Sequence, residues 1–149
     1  YTTAHTLSLH DALPISIIHA GWRGICRGIL SKTVNKMCSD PYDLIAWLGP
    51  AIGPCHYEVG GDVKDALKKS ISSKELWSRI ETCFRESSTE GKFFLDLYKT
   101  AGAMLKYLGV NKIYGDDHCT FRDREKYFSY RRDGETGRMV SAIFIDPKV

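Results

Sequence analysis

Ser16-Ile17-Ile18-His19-Ala20-Gly21-Trp22-Arg23-Gly24 changes character within nine residues. An apolar run of strand type enters a segment with two glycines, an imidazole and a guanidinium, and beyond it Ile25, Ile29, Leu30, Thr33, Val34 and Met37 recur at helical spacing. The change of period predicts a strand, a tight turn and a helix, the unit of folds in which helices pack on sheets. Backbone N–H groups in the first turn of a helix lack intrahelical partners, and the helix dipole favours anions in front of them. Gly21 and Gly24 allow close backbone approach, Arg23 offers a planar fork for phosphate or carboxylate, and His19 is a metal ligand or proton carrier by residue type. Each residue alone has an ordinary structural role; clustered at a strand end they mark a site.

Outward from this stretch, Asp43–Leu48 predicts a second strand that ends in the Gly- and Pro-dense loop Gly49–Gly61. Asp62 caps a helix with Val63, Ala66 and Leu67 inward, and Ser70–Glu90 is mostly scaffold, with a weaker helical segment around Trp77 and Ile80. Asp96 caps a clearer helix with Leu97, Ala101, Met104, Leu105 and Leu108 inward, and Gly109 stops it. Asn111–Tyr114 reads as a strand, and Lys126–Arg131 with Met139–Ile145 reads as a β-hairpin about the turn Asp133–Gly137. The expected class is α+β, a mixed β-sheet packed with helices.

A chain of 149 residues fits one domain with a substantial core. Twenty-one basic against eighteen acidic side chains give a formal charge of only +3 with the signs interspersed, which points away from nucleic acid and membrane surfaces and towards small polar or anionic ligands. Five cysteines without a repeated C-x-x-C pair argue against a disulfide framework and a zinc ribbon, and for a reducing, cytoplasmic setting.

Three loops after strands hold polar residues that secondary structure does not need: His19 with Arg23, Cys55-His56-Tyr57-Glu58, and Asp116-Asp117-His118-Cys119-Thr120. Within each Cys/His dyad, sequence neighbours on an extended chain point to opposite faces, so at most one of each pair meets a common centre. Cys26, Cys38 and Cys83 read as packing residues, and Cys119 as the chemical one. Alternation sends Arg131 and Arg132 apart, one to Asp133 or solvent and the other to a ligand.

His19–Gly24, Gly49-Pro50-Ala51-Ile52-Gly53-Pro54-Cys55 with Tyr57-Glu58-Val59, Leu95-Asp96-Leu97, and Cys119-Thr120 with Phe128–Gly134 and Gly137-Arg138 together resemble the YfiH-type proteins. That family has been called multicopper polyphenol oxidases or laccase-domain proteins, and more recently purine nucleoside phosphorylases with adenosine deaminase activity. The resemblance runs in order over most of residues 16–146 and implies a YfiH-like sandwich, incomplete at the N-terminus, that acts on purine nucleosides and phosphate. It also implies zinc, held in the family by an upstream histidine, the cysteine of an Ala-Asp-Cys-Leu-Pro segment and the histidine that matches His19. Only His19 has a counterpart here, because Ala12 stands where the cysteine would be in Asp11-Ala12-Leu13-Pro14. Residues 1–15 resemble a translated sequencing adapter and are expected to be a non-native leader ahead of a partial domain over 16–149.

The expected catalytic residues are therefore His19, Arg23 and Cys119, with Gly21, Trp22, Gly24, Tyr57 and Arg131 for substrate or anion and His19 for metal. Phosphorolysis needs an anion site and deamination a metal-activated water. Copper is not expected, since a laccase needs on the order of ten histidines and this chain has five. The alternatives are a cysteine-dependent amide hydrolase, with Cys55 or Cys119 as nucleophile and His19 or His118 as base, a peptidoglycan-editing protein, and an inactive anion-binding module.

Overall fold

The structure is a computed structural model that describes residues 5–7, by backbone alone, and 14–146. In chain order it contains β1 (His5–Leu7), β2 (Ile15–Ile17), α1 (Trp22–Cys26), α2 (Ile29–Lys36), β3 (Ile45–Leu48), β4 (Glu58–Gly60) and α3 (Gly61–Ser70). There follow α4 (Lys74–Glu81), β5 (Phe84–Glu86), β6 (Lys92–Leu95), α5 (Leu97–Tyr107), β7 (Lys112–Gly115) and α6 (Tyr130–Asp133). The expected α+β class is what the chain adopts, with the strands divided among small sheets: β1 and β2 antiparallel, β3 and β7 parallel, and β4-β6-β5 antiparallel. The expected leader lies mostly outside the described residues.

The single helix expected over 25–37 is two. Gly28 takes the left-handed conformation at φ 72°, ends α1 and starts α2, and because Ile25, Ile29 and Leu30 are buried on both sides of the break, the helical period runs on across it. A Cβ at residue 24 would meet the His19 carbonyl oxygen at 3.1 Å, so glycine there lets α1 fold back against the end of the preceding segment.

Asp62 does not cap α3; Gly60 precedes the helix and Asp62 lies in its first turn, where its charge still complements the dipole. Asp96 does cap α5, accepting from the Lys99 N–H at 2.9 Å, while Gly109 ends the helix at φ 93° and the Val110 N–H returns to the Leu105 carbonyl. The scaffold around Trp77 and Ile80 is α4, capped by Ser73, and the segment after it forms the hairpin β5–β6, which the sequence reading passed over.

The terminal hairpin is absent. Tyr130–Asp133 is a helical turn ended by Gly134 at φ 70°, and residues 135–146 form neither helix nor strand among the described residues. Arg132 holds this turn, donating to the carbonyls of Thr120, Phe121 and Tyr127 at 2.9–3.0 Å and pairing with Asp133 at 2.7 Å. The carbonyls of Ser129 and Tyr130 accept from the N–H groups of residues 132–134 within the turn and so are not offered to a ladder with 139–145.

One apolar core joins the helices and sheets, built from Ile25, Leu30, Val34, Val59, Val63, Leu67, Leu95, Leu105 and Val110. Its faces leave the ends of β2, β3 and β7 and the loop before β4 at the surface, where the polar residues of interest lie.

Candidate functional site

The loop between β3 and β4 carries Tyr57 back towards α1 and α6. Arg131, on α6, lies with its guanidinium carbon 5.4 Å from the centre of the Tyr57 ring and donates to the Glu58 carbonyl oxygen at 2.6 Å. Burial raises the Tyr57 hydroxyl pKa above its usual value, opposed by the positive charges of Arg131 and then Arg23. Segments distant in sequence thus set the Arg131 guanidinium over one half-buried phenol, with the Arg23 charge near enough to act on it. Arg23 also lies over the Trp22 indole, 4.4 Å from the ring centre.

The expected division of Arg131 from Arg132 occurs by a different route. In a helical turn rather than a strand, Arg132 is locked among carbonyls and Asp133, and Arg131 is left exposed over Tyr57. Glu58 points its carboxylate the other way, accepting from Ser87 Oγ at 2.5 Å and Lys92 Nζ at 3.2 Å, and these hydrogen bonds lower its pKa.

His19 is exposed just after β2, and a Cβ on Gly21 would meet its Nε2 at 3.0 Å, so the glycine leaves room for the ring against the backbone. Gly21 precedes α1 in extended conformation without any side-chain cap. With only five residues in α1, the dipole contribution expected at residues 21–24 is small, and the positive field here comes from guanidinium charge.

Cys119 belongs to a second cluster. Its thiol, 5% exposed, accepts from the Gly53 N–H at 3.2 Å and the Arg122 N–H at 3.4 Å, and lies 3.6 Å from His56 Nδ1. The neighbouring imidazole is neither His19 nor His118, the two bases that the sequence suggested; His118 turns its ring to Asp117 at 3.3 Å. His56 is fixed by stacking on Phe121, centroid to centroid 4.5 Å, while Cys55 is exposed, so one member of the Cys55–His56 dyad faces the centre. A Cβ on Gly53 would come within 3.0 Å of the Cys119 sulfur, which explains glycine at that place.

Tyr98 is a site residue that no sequence signal marks. Its hydroxyl accepts from the Ala51 N–H at 2.7 Å and reaches the carbonyls of His118 at 2.7 Å and Gly49 at 3.2 Å, tying both loops of the thiol cluster to α5. An aromatic on the inner face of a helix reads as packing, and only the fold shows that its polar end joins two loops.

Among the described residues no group of three or more His, Cys, Asp or Glu side chains is arranged to hold a metal ion. His19 alone does not fit a zinc site, which takes three protein ligands in catalytic centres.

The fold is that of a small α+β domain, with Arg131 of α6 set over Tyr57 of the loop before β4. The chain belongs to the family described as multi-copper polyphenol oxidoreductase laccase, whose model matches residues 7–146. It is 44% identical over 133 residues to a purine nucleoside phosphorylase of Haemophilus influenzae, covering 89% of this chain and 52% of that protein. It is 41% identical to purine nucleoside phosphorylase YfiH of Escherichia coli, covering 88% and 51%. Among solved structures, Neisseria meningitidis protein NMB0706 superposes with TM-score 0.73 at 42% identity, covering 81% of this chain and 47% of that one. YlmD of Geobacillus stearothermophilus gives 0.67 at 31%, covering 81% and 45%. The chain thus spans about half the length of the curated relatives it matches.

Proposed function

We propose that this chain carries part of a purine nucleoside phosphorylase site, in which Arg23, Tyr57 and Arg131 bind the phosphate and the nucleoside. The single observation behind this reading is the Arg131 guanidinium set over Tyr57 at 5.4 Å, in reach of the Arg23 charge. In phosphorolysis a phosphate oxygen attacks the anomeric carbon of the ribose, the bond to the purine nitrogen breaks, and the base leaves with the electron pair and takes up a proton. A guanidinium fork holds the dianion by paired hydrogen bonds and stabilises charge as it is redistributed. The Tyr57 hydroxyl, kept protonated by burial, is a hydrogen-bond donor to phosphate or sugar, and the Trp22 indole is a stacking surface for a purine. Gly21 and Gly24 bring the backbone close. His19 is the proton carrier, delivering a proton to the departing base. This role does not require the further metal ligands that the described residues lack, and no deamination step is assigned. The five free cysteines are consistent with action in the cytoplasm, and no described helix is long and apolar enough to cross a membrane.

The test is release of free purine from inosine and adenosine with and without phosphate, coupled to detection of ribose 1-phosphate. Arg131→Ala and Arg23→Lys are expected to raise the phosphate concentration required at least tenfold. Turnover indifferent to phosphate, or unchanged in both variants, would overturn the reading.

One observation favours a thiol enzyme instead: Cys119 beside His56 with two backbone N–H groups on the sulfur. The same thiol, nearly closed to solvent, is equally suited to holding the loop at Gly53 against the one at Arg122. Selective loss of turnover in Cys119→Ser, with the melting temperature kept, would decide for chemistry.

A further inference from the structure

We propose that Cys119 is a positioning residue for Tyr57: as an acceptor, its thiol fixes the turn over residues 53–57 that seats the phenol against Arg131. The proposal takes from the phosphorylase reading only the place of Tyr57 in the site, and its test needs no substrate, so the two fail separately.

Tyr57 lies just before β4 and belongs to no helix or strand, so the turn ahead of it sets where its ring goes. In that turn the Gly53 carbonyl accepts from the His56 N–H at 3.0 Å and from the Tyr57 N–H at 3.2 Å. Gly53 is buried, and its own N–H is accepted outside the turn by Cys119 Sγ at 3.2 Å. A buried N–H is costly to leave without an acceptor, so the sulfur ties the start of the turn to a segment 66 positions away. The contact is close as well as polar. A Cβ on Gly53 would meet the sulfur at 3.0 Å and the Cys119 Cβ at 3.2 Å, which leaves the turn no room to move towards the thiol. His56, also in the turn, brings Nδ1 within 3.6 Å of the sulfur and stacks its ring on Phe121, so residues 119 and 121 grip the turn at two points.

The thiol is itself held on a frame that includes the element bearing Arg131. The Cys119 N–H donates to the Asp123 carboxylate at 3.0 Å, and the Asp123 N–H returns to the Cys119 carbonyl at 2.8 Å. The next two carbonyls, of Thr120 and Phe121, accept from Arg132, the neighbour of Arg131 on α6. On the loop side the Thr120 N–H donates to the Ala51 carbonyl at 2.9 Å, and the Ala51 N–H donates to the Tyr98 hydroxyl at 2.7 Å. Hydrogen bonds thus lead from Tyr57 through Gly53 to Cys119, and from the residues after Cys119 to α6, which is how two residues so distant in sequence come to face each other. With two backbone N–H groups and an imidazole around it, and 5% exposed, the thiol is occupied by these contacts.

The experiment follows the Tyr57 titration by labelled tyrosine resonances, and amide exchange at Gly53, His56 and Tyr57, in the 149-residue chain and its variants. Cys119→Ala removes the acceptor. The loosened turn is expected to exchange these three amides at least tenfold faster, and Tyr57 to lose its burial, the largest influence on the hydroxyl, together with the Arg131 charge, so that its titration moves down towards that of an ordinary tyrosine. Cys119→Ser keeps an acceptor on the same carbon and is expected to restore most of both readouts. In the Cys119→Ala background, adding Arg131→Ala is expected to shift Tyr57 no further, because the two side chains no longer meet. A thiol that only adds stability would lower the melting temperature and leave the native-state titration in place, and that result overturns the proposal. Serine no better than alanine overturns it too, since the sulfur would then not act as an acceptor. So does an Arg131→Ala shift as large with Cys119→Ala as without it. Should Cys119→Ala not fold, Tyr98→Phe removes the hydroxyl on Ala51 in the same loop and keeps the ring; it is expected to lower the Tyr57 titration in the same sense, and an unmoved titration there overturns the proposal.

Discussion

Tyr57 is held between opposed influences, burial that keeps its proton on and two guanidinium charges that favour its loss. Of the two charges Arg131 has the larger effect on Tyr57, so Arg131→Ala is expected to move the Tyr57 titration further upward, as read from labelled tyrosine resonances against pH. A titration unmoved or lowered would show that Arg131 does not act on this phenol. Arg132→Ala, at the next position, is expected to lower the melting temperature instead, because it strips donors from three carbonyls without touching Tyr57. A second residue-scale expectation concerns acid. Asp123 accepts from the Arg122 side chain and from the Cys119 N–H, and these bonds lower its pKa from 3.8 to about 2. A folded-state pKa below the unfolded value gives stability that is complete above the unfolded pKa and lost as pH falls through the folded one. The loss therefore falls between about pH 4 and pH 2. Asp123→Asn is expected to be less stable than wild type at neutral pH and to show a flatter melting profile across that window; parallel profiles would remove Asp123 from the acid response.

Among the elements, those legible in the sequence were the ones with local chemistry at their ends. Asp96 and Gly109 bound α5 because a carboxylate cap and a left-handed stop act within a few residues. The break at Gly28 is not legible because burial keeps helical spacing across it, and the β5–β6 hairpin is not because its strands are only three and four residues long about the polar turn 87–91. Of the candidate site, the cluster around Arg23 and the exposure of Arg131 could be anticipated from residue type and crowding. The pairing of Cys119 with His56 spans 63 positions and that of Arg131 with Glu58 spans 73, separations at which neither period nor propensity carries information. Gly115 gives the sharpest element-scale test. It sits at φ +92°, and a Cβ there would fall 2.2 Å from the Leu48 carbonyl oxygen across the β3–β7 ladder. The backbone conformation alone costs a non-glycine residue about 1–3 kcal/mol, and the clash adds to it. Gly115→Ala is expected to lose at least that much in urea denaturation, whereas Gly102→Ala, inside α5 with nothing within 4 Å of the new Cβ, is expected to gain about 0.5–1 kcal/mol. Equal effects would mean that the sheet end yields freely.

For the whole molecule, the relation between this chain and its longer relatives bears on metal binding. The family resemblance implies three zinc ligands, and the described residues provide His19 without companions, because no other His, Cys, Asp or Glu side chains gather into a group of three. An isolated imidazole on the surface binds Zn²⁺ weakly, since affinity grows with the number of deprotonated ligands that the fold holds in place. The 149-residue chain, loaded with Zn²⁺ and dialysed, is therefore expected to retain well under one equivalent by elemental analysis, with His19→Ala indistinguishable from it. Fused to the part of the Haemophilus influenzae relative outside the matched residues, the same chain is expected to retain about one equivalent, and His19→Ala is expected to lower the affinity more than tenfold, as even losses among the partners of metal ligands do. One tightly held zinc in the 149-residue chain that disappears in His19→Ala would show that this chain gathers a full ligand set on its own. Zinc retained equally by the joined protein and its His19→Ala variant would remove His19 from the metal site and leave it the proton-carrier role alone.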